Sequence, residues 1–236
     1  MTKTTSELDR LKAAAAHAAV AVIEDGMIVG LGSGTTAALA LGILGRRVAE
    51  GLRVIGIPTS DQTKREARRL GISLSTLREH EHIDITIDGA DEVDVATLSV
   101  LKGRGGALLR EKIVASASEH LVIIVDETKL VDRLGVHGLL PVEVVPFGWQ
   151  ATARRLRRLV TSLAQRMTPE GEPFITDGGH YILDCAVGEI GDPEDLQRQL
   201  DGMVGVVEHG LFLGLASRVI VGSSQGVRVL QQARRG

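Results

Sequence analysis

Aromatic residues are scarce in this sequence of 236 residues, where they account for 2% of the total. Proteins that bind single-stranded nucleic acid stack bases on aromatic side chains, so the composition disfavours that class. The formal net charge of −3 also argues against a general polyanion binder. We therefore expect no nucleic-acid partner, although a few local donors can still hold a small anion.

Cysteine is almost missing as well, because Cys185 is the only one. No internal disulfide can form, which fits a reducing compartment and predicts a cytoplasmic protein. The apolar stretch 13–23 resembles the core of a signal peptide, but it is interrupted by His17 and is too short to span a bilayer. We interpret it as a buried helix and expect no membrane partner.

Glycine, in contrast, is plentiful, and it separates short apolar runs from helical stretches. Strands are predicted at 27–31, 54–57, 83–87 and 121–125. Helices are predicted from a capping box at Ser6 and Asp9, and at 35–44, 64–70 and 110–118. This alternation predicts an α/β fold with a Rossmann-like, mostly parallel sheet, whose ligands bind beyond the carboxyl ends of the strands.

The pattern changes after Pro141. Helices are predicted at 149–163 and 193–200, a hairpin at 174–176 and 181–183, and a further strand at 204–207. This order indicates a second, smaller α+β domain at 134–209. The main domain then comprises 1–133 and 210–236, and a strand at 218–222 is predicted to return to its sheet.

A glycine turn follows the first predicted strand, with the sequence Gly-Ser-Gly-Thr-Thr-Ala from Gly32. Such a turn before a helix N-terminus suits phosphate, since unpaired amides and a positive partial charge lie there. No Walker lysine closes the loop. It also matches the loose dinucleotide pattern, but the second strand ends in Ile-Pro-Thr-Ser without an acid for a ribose diol. A phosphate site and a simple strand-to-helix turn remain equal alternatives.

Four carboxylates crowd the end of the third predicted strand, at Asp88, Asp91, Glu92 and Asp94. Crowding makes proton-transfer groups plausible. The spacing is not that of a calcium loop and no histidine joins it, so no metal site is predicted. A solvated acidic loop is the plain alternative.

Two segments that contain a lysine complete the candidates. Lys102 precedes a glycine-rich turn and can meet a phosphate or a developing oxyanion, whereas Glu111 by spacing alone is an ordinary helix glutamate. The segment from Asp126 to Lys129 follows the fourth predicted strand and is compatible with a solvated turn.

Together, four segments resemble the ribose-5-phosphate isomerase A family over nearly the whole chain. They are Gly-Met-Ile-Val-Gly-Leu-Gly-Ser-Gly-Thr-Thr-Ala from Gly26, Ile-Asp-Gly-Ala-Asp-Glu-Val from Ile87, Leu-Lys-Gly-Arg-Gly-Gly-Ala-Leu-Leu-Arg-Glu-Lys-Ile from Leu101 and Leu-Pro-Val-Glu-Val-Val-Pro from Leu140. The second and third blocks in this order are specific, whereas the glycine turn by itself is not. The family fold, a Rossmann-like domain with a small α+β domain, agrees with the pattern above.

The resemblance implies roles for individual residues. Glu111 stands where the family has its catalytic base, Asp88 and Asp91 match two site aspartates, and Lys102 matches a site lysine. The substrate-binding positions that it implies are Ser33, Gly34, Thr35, Thr36, Asp88, Gly89, Ala90, Asp91, Lys102, Gly103, Arg104, Gly105, Lys129 and Lys12. The family more often has threonine at position 33. At position 104 many members have glycine, so Arg104 either removes a backbone contact or adds a cation near the sugar.

The implied reaction interconverts ribose 5-phosphate and ribulose 5-phosphate through an enediolate, without cofactor or metal. Glu111 suits the proton transfer between C1 and C2. Asp88, assisted by Asp91, suits the sugar hydroxyls and ring opening, and Lys102 suits the oxyanion. The family also implies a homodimer or homotetramer.

Other functions compete with this reading. A non-catalytic sugar-phosphate sensor is the main alternative, but it has no need for Glu111, and no helix-turn-helix segment is recognised here. An amino-sugar phosphate deaminase or a CoA transferase is a second alternative, against which the Asp-Gly-Ala-Asp-Glu block argues.

Overall fold

The computed structural model describes residues 4–231. Its α-helices are α1 (Thr5–Val20), α2 (Thr35–Ala49), α3 (Asp61–Arg69), α4 (Leu108–Ser116), α5 (Trp149–Leu156) and α6 (Pro193–Asp201), and a 3₁₀ turn covers Glu127–Lys129. Its strands are β1 (Ile28–Leu31), β2 (Ile55–Pro58), β3 (Ser73–Leu74), β4 (Ile83–Gly89), β5 (Glu92–Asp94), β6 (Val100–Leu101), β7 (Ser118–Asp126), β8 (Leu130–Val131), β9 (Leu140–Val144), β10 (Ser162–Gln165), β11 (Tyr181–Ala186), β12 (Val206–His209), β13 (Leu211–Phe212), β14 (Ala216–Ser223) and β15 (Gly226–Gln231).

The chain forms two compact units. The first contains the chain up to Ala90, Arg110–Leu130 and the chain from Gly214 onward. The second contains Asp91–Leu109 and Val131–Leu213. The domain division at 1–133 with 210–236 against 134–209 stays a prediction.

A seven-stranded sheet organises the first unit, in the order β15-β14-β7-β4-β1-β2-β3. Every pairing is parallel except that of β14 with the edge strand β15. The central strand β7 has an unbroken buried apolar run from Leu121 to Val125, as a parallel sheet covered by helices requires, whereas its neighbour β4 alternates isoleucines with Asp84, Thr86 and Asp88. Both the α/β fold class and the return of segment 218–222 to this sheet are confirmed. Because β1 and β4 are parallel neighbours, their carboxyl ends meet at the same edge.

The first helix begins earlier than predicted, so the placement of the capping box at Ser6 and Asp9 is wrong. Thr4 is the N-cap, its hydroxyl accepts the Glu7 N–H, and the Glu7 carboxylate accepts the Thr4 N–H at 2.8 Å. Glutamate at N3 reaches back to the N-cap amide, which the shorter aspartate does less readily. The apolar stretch that follows packs Ala15, Ala16 and Ala19 into the core, which confirms the helix.

The second unit contains an antiparallel sheet in the order β10-β11-β9-β12 and a smaller one in the order β13-β6-β5-β8, in which Leu130 of β8 belongs to the first unit. The predicted helix 149–163 is wrong in its second half, because α5 ends at Leu156 and β10 begins at Ser162. Pairing of β10 with β11, which places Leu163 opposite Cys185, overrides the helical pattern there. Similarly, 174–176 makes only an isolated bridge, from Ile175 to Tyr181. The strand predicted at 204–207 lies at Val206–His209.

Within residues 4–231, no helix is long and apolar enough to cross a membrane.

Candidate active site

The glycine turn between β1 and α2 lies at the carboxyl edge of the large sheet. Gly34 is the N-cap of α2 with φ of +89°, a conformation that favours glycine, and no side chain caps this helix end. Gly34 and Thr35 are exposed and Thr36 is half-buried. The first amides of α2 therefore form a surface that suits a phosphate.

Asp88, at the end of β4, is tied to this turn. Its side chain is buried, and Oδ1 accepts the Ser33 N–H at 3.1 Å and the Gly89 N–H at 2.8 Å. A Cβ on Gly32 would lie 2.4 Å from the same Oδ1, so the turn approaches the carboxylate as closely as glycine allows. The structure thus brings together Asp88, Gly89 and the glycine turn.

The hydroxyl of Ser33 is anchored in a cluster that the sequence analysis missed. Ser33 Oγ lies 2.8 Å from the Thr59 hydroxyl, 2.9 Å from the Ser60 hydroxyl and 3.1 Å from the Thr63 hydroxyl. The Thr59 and Thr63 hydroxyls donate to the Leu31 and Gly32 carbonyls at 2.9 Å and 3.0 Å, so the single Ser33 proton serves one of the three contacts at a time. Thr59 and Ser60 directly after β2, with Thr63 in the first turn of α3, were the available signal. The cluster fixes the turn to the neighbouring strand.

Glu111 lies in the first turn of α4 and is 5% exposed, so it is not the surface glutamate that spacing alone suggested. The preceding Arg110 donates to Asp61 at 2.9 Å, and this hydrogen bond lowers the pKa of the Asp61 carboxyl. Later in the helix, Val114 packs with Ile57 of β2. These contacts fix the orientation of α4 on the sheet.

Two further predicted lysines belong to the first unit. Lys129 ends the 3₁₀ turn that follows β7 and is half-buried. Lys12 lies on α1, pairs with Asp9 at 3.6 Å and exposes 18% of its side chain.

The remaining carboxylates of the acidic segment, Asp91, Glu92 and Asp94, lie in the second unit and make different contacts. Glu92 is fully buried, and its two oxygens accept the N–H groups of Gly135 at 2.5 Å and His137 at 2.7 Å. Asp94 accepts the N–H groups of Ala96 and Thr97. Glu92 and Asp94 therefore hold loops in place, which the spacing of the carboxylates did not reveal.

Asp91 contacts the glycine-rich segment after Lys102. Its Oδ2 accepts the Arg104 N–H at 3.0 Å, and its Oδ1 lies 3.8 Å from the Arg104 guanidinium Nε. The Arg104 side chain is 64% exposed. The backbone contact to Asp91 is thus made although residue 104 is not glycine.

Lys102 is buried, with 3% exposure, and its N–H donates to the Gly210 carbonyl at 2.8 Å. Its ammonium lies 5.6 Å from the centre of the Phe212 ring, within the range of a cation–π contact. Gly103 and Gly106 have φ of +104° and +80°, so the segment between them can turn tightly. Gly105 lies in the same turn, and a Cβ there would meet open space.

Asp201, Glu208 and His209 form a group with metal-ligand spacing elsewhere in the second unit. His209 Nδ1 accepts the Leu211 N–H at 3.2 Å, so in the neutral ring the proton lies on Nε2. This proton points to Asp201 Oδ1 at 3.0 Å. The contacts fit a histidine–carboxylate hydrogen bond better than a metal ligand set.

Comparison with known proteins gives a consistent result. The model of the family described as ribose 5-phosphate isomerase A (phosphoriboisomerase A) matches residues 55–226. A ribose-5-phosphate isomerase A of Gloeobacter violaceus is 59% identical over 95% of this chain and 97% of its own length. One of Thermomicrobium roseum is 52% identical over 96% of this chain and 95% of its own.

Solved structures agree. A D-ribose-5-phosphate isomerase in complex with phospho-erythronic acid has a TM-score of 0.92 and 38% identity, covering 95% of this chain and 99% of its own. Ribose 5-phosphate isomerase A of Methanocaldococcus jannaschii has a TM-score of 0.90 and 40% identity, with the same coverage.

The fold and these similarities first define a class: α/β proteins similar to sugar-phosphate isomerases, with a buried carboxylate, Asp88, beside a glycine turn. Within that class, the chain belongs to the ribose-5-phosphate isomerase A family.

Proposed function

We propose that this chain interconverts D-ribose 5-phosphate and D-ribulose 5-phosphate, as its family name describes. The observation that carries the proposal is the buried Asp88 carboxylate, fixed by the glycine turn at the uncapped N-terminus of α2. A buried carboxylate beside a surface suited to phosphate supports this proposal, because a sugar phosphate presents hydroxyls for proton exchange and a phosphate in one small molecule.

The phosphate is assigned to the glycine turn. The amides of the first turn of α2, with Gly34 and the hydroxyls of Thr35 and Thr36, donate to it. Ser33 contributes by holding the turn in place. Lys12 and Lys129 are assigned as further cations for substrate binding.

The proton transfers are assigned to carboxylates. Glu111 removes a proton from one of the carbons C1 and C2 and returns it to the other, through an enediolate. Asp88, assisted by Asp91, exchanges protons with the sugar hydroxyls and opens the furanose ring. Positioned proton transfer contributes about 10²–10⁴-fold to such a reaction.

The developing oxyanion is assigned to Lys102, whose buried charge acts in surroundings of low dielectric constant. The backbone at Gly89, Ala90, Gly103, Arg104 and Gly105 is assigned to substrate binding. The proposal requires no metal and no nucleotide.

The experiment is an isomerase assay on purified protein with ribose 5-phosphate, without added cofactor and with EDTA present. We expect turnover in the wild type, and Glu111→Gln should lose most of it because the amide keeps the shape but removes the base. Glu119→Gln, at a glutamate whose side chain is 61% exposed, is the matched control and should keep full activity.

Calorimetric titration with phospho-erythronic acid separates binding from turnover. Glu111→Gln should still bind it. A wild type that binds but does not isomerise would support the non-catalytic sensor instead. Loss of activity with EDTA, restored by one divalent ion, would overturn the metal-free assignment.

A homodimer or homotetramer acting in the cytoplasm, in the non-oxidative pentose phosphate pathway, completes the proposal. Light scattering coupled to gel filtration measures the mass, and a monomer at micromolar concentration would contradict it.

A further inference from the structure

The segment from Gly103 to Gly106 has little internal means of holding one conformation. Three of its four residues are glycine, and glycine has the greatest backbone freedom in the unfolded chain. Its own hydrogen bond, from the Gly106 N–H to the Gly103 carbonyl, closes only one turn. The order of this segment must therefore come from residues outside it.

Arg166 supplies that order. One terminal nitrogen of its guanidinium donates to the carbonyls of both Gly103 and Arg104, each at 3.0 Å. The guanidinium thus binds the peptide backbone through two hydrogen bonds, and these do not depend on the side chain at position 104.

The other side of the guanidinium is held by Asp184. Arg166 Nε donates to Asp184 Oδ2 at 2.9 Å, and the second terminal nitrogen donates to Oδ1. The two side chains are only 13% and 19% exposed. Such a two-pronged, shielded ion pair fixes the guanidinium plane, which lysine cannot reproduce.

The backbone of Arg166 is fixed as well. Its N–H donates to the Ile182 carbonyl at 2.8 Å, and its carbonyl accepts the Phe174 N–H at 2.9 Å. The Phe174 ring lies 5.8 Å from the guanidinium carbon and also contacts Gly106, where a Cβ would come within 2.5 Å of it. One arginine and one aromatic ring therefore support both ends of the glycine segment.

The segment in turn contacts Asp91, because the Arg104 N–H donates to Asp91 Oδ2. We infer that Arg166, oriented by Asp184, is a positioning residue for the isomerase reaction, acting through the Gly103–Arg104 backbone on the Asp91 carboxylate. The inference rests on the proposed function for its kinetic consequence. Its structural consequence, an ordered glycine segment, can be measured without substrate.

Arg166→Lys is the main variant, because it keeps the positive charge but cannot contact Asp184 and both carbonyls at once. Displacing a catalytic group by about 1 Å can cost on the order of 100-fold, so we expect kcat/KM to fall about 10- to 100-fold. Arg198→Lys is the matched control: the same substitution in the same unit, in an exposed ion pair with Asp195. Its kcat/KM should equal that of the wild type.

Two readouts distinguish positioning from general stabilisation. In a double-mutant cycle, Arg166→Lys and Asp91→Asn should be non-additive in kcat/KM, since they interrupt the same connection. In Arg166→Ala, millimolar guanidinium ion should restore activity in part, whereas the same concentration of sodium chloride should not. Additive effects together with no rescue would overturn the inference.

Hydrogen–deuterium exchange keeps the inference testable apart from the reaction. Peptides covering residues 101–107 should exchange at least about 10-fold faster in Arg166→Lys than in the wild type, because the segment opens locally more often. Unchanged exchange would reject the positioning role even if the wild type is active. A wild type without isomerase activity but with faster exchange in the variant would reject the proposed function and retain the ordering of the segment.

Discussion

Asp88 and Glu92 are buried carboxylates only four residues apart, and they receive backbone amides in different ways. Asp88 accepts two N–H groups on Oδ1, whereas Glu92 accepts one on each of its oxygens. Asparagine at position 88 can keep both hydrogen bonds through its carbonyl oxygen. Glutamine at position 92 must turn its NH₂ group toward one of the two amides, where two donors face each other.

The expected magnitudes follow from this difference. Glu92→Gln loses one hydrogen bond to a charged group and leaves a buried donor unsatisfied, so we expect it to lower the free energy of unfolding by about 3 kcal/mol. In a protein of this size that corresponds to a fall in Tm of roughly 6–12 °C. Asp88→Asn should cost about 1 kcal/mol, because a neutral amide is easier to bury than a carboxylate.

The order of the two variants should be reversed for activity: Asp88→Asn should lose more kcat than Glu92→Gln. Asp88→Asn removes a proton-transfer group and should lower kcat by about 10²–10⁴-fold. Glu92→Gln should keep near wild-type kcat well below its Tm. Thermal unfolding by circular dichroism gives the Tm of each variant, and steady-state kinetics give its kcat. A catalytically dead Glu92→Gln with unchanged Tm, or a fully active Asp88→Asn, would refute the assignment of these two carboxylates.

Three further results are expected. Lys102→Met should lower kcat and kcat/KM together by about 10²–10³-fold, because a partner of the oxyanion stabilises only the charge that develops in the transition state. A rise in KM alone would assign this lysine to the phosphate instead. Thr35→Ala should mainly raise KM, because phosphate contacts stabilise ground and transition states alike, and an unchanged KM would argue against the glycine turn as the phosphate site. Burial raises the pKa of the Cys185 thiol to about 12, so a thiol-specific disulfide reagent should label it at pH 8 only after unfolding, and rapid native labelling would contradict its burial. Because the unfolded thiol ionises first, its contribution to stability is fully present below pH 9.0 and is lost as the pH rises toward about 12.

The sequence alone was sufficient for the α/β class, because alternating buried strands and helices leave a periodic pattern that needs no tertiary information. It also identified Asp88 and the glycine turn as candidates, since strand ends and glycine turns are local features. Its errors were local as well. The pattern of 149–163 is helical up to Leu156, but the pairing of β10 with β11 depends on residues about twenty positions away, which no local window contains.

Only the tertiary structure separated the four carboxylates of the acidic segment, because Asp88, Asp91 and Glu92 accept N–H groups from distant parts of the chain, whereas Asp94 accepts those of the nearby Ala96 and Thr97. Glu92 is held by amides more than forty residues away, and Asp91 by the amide of Arg104. The same holds for Arg166, which the sequence presents as one basic residue among many. Its function depends on Asp184 and two backbone carbonyls, and backbone carbonyls leave no trace in a sequence, because every residue has one.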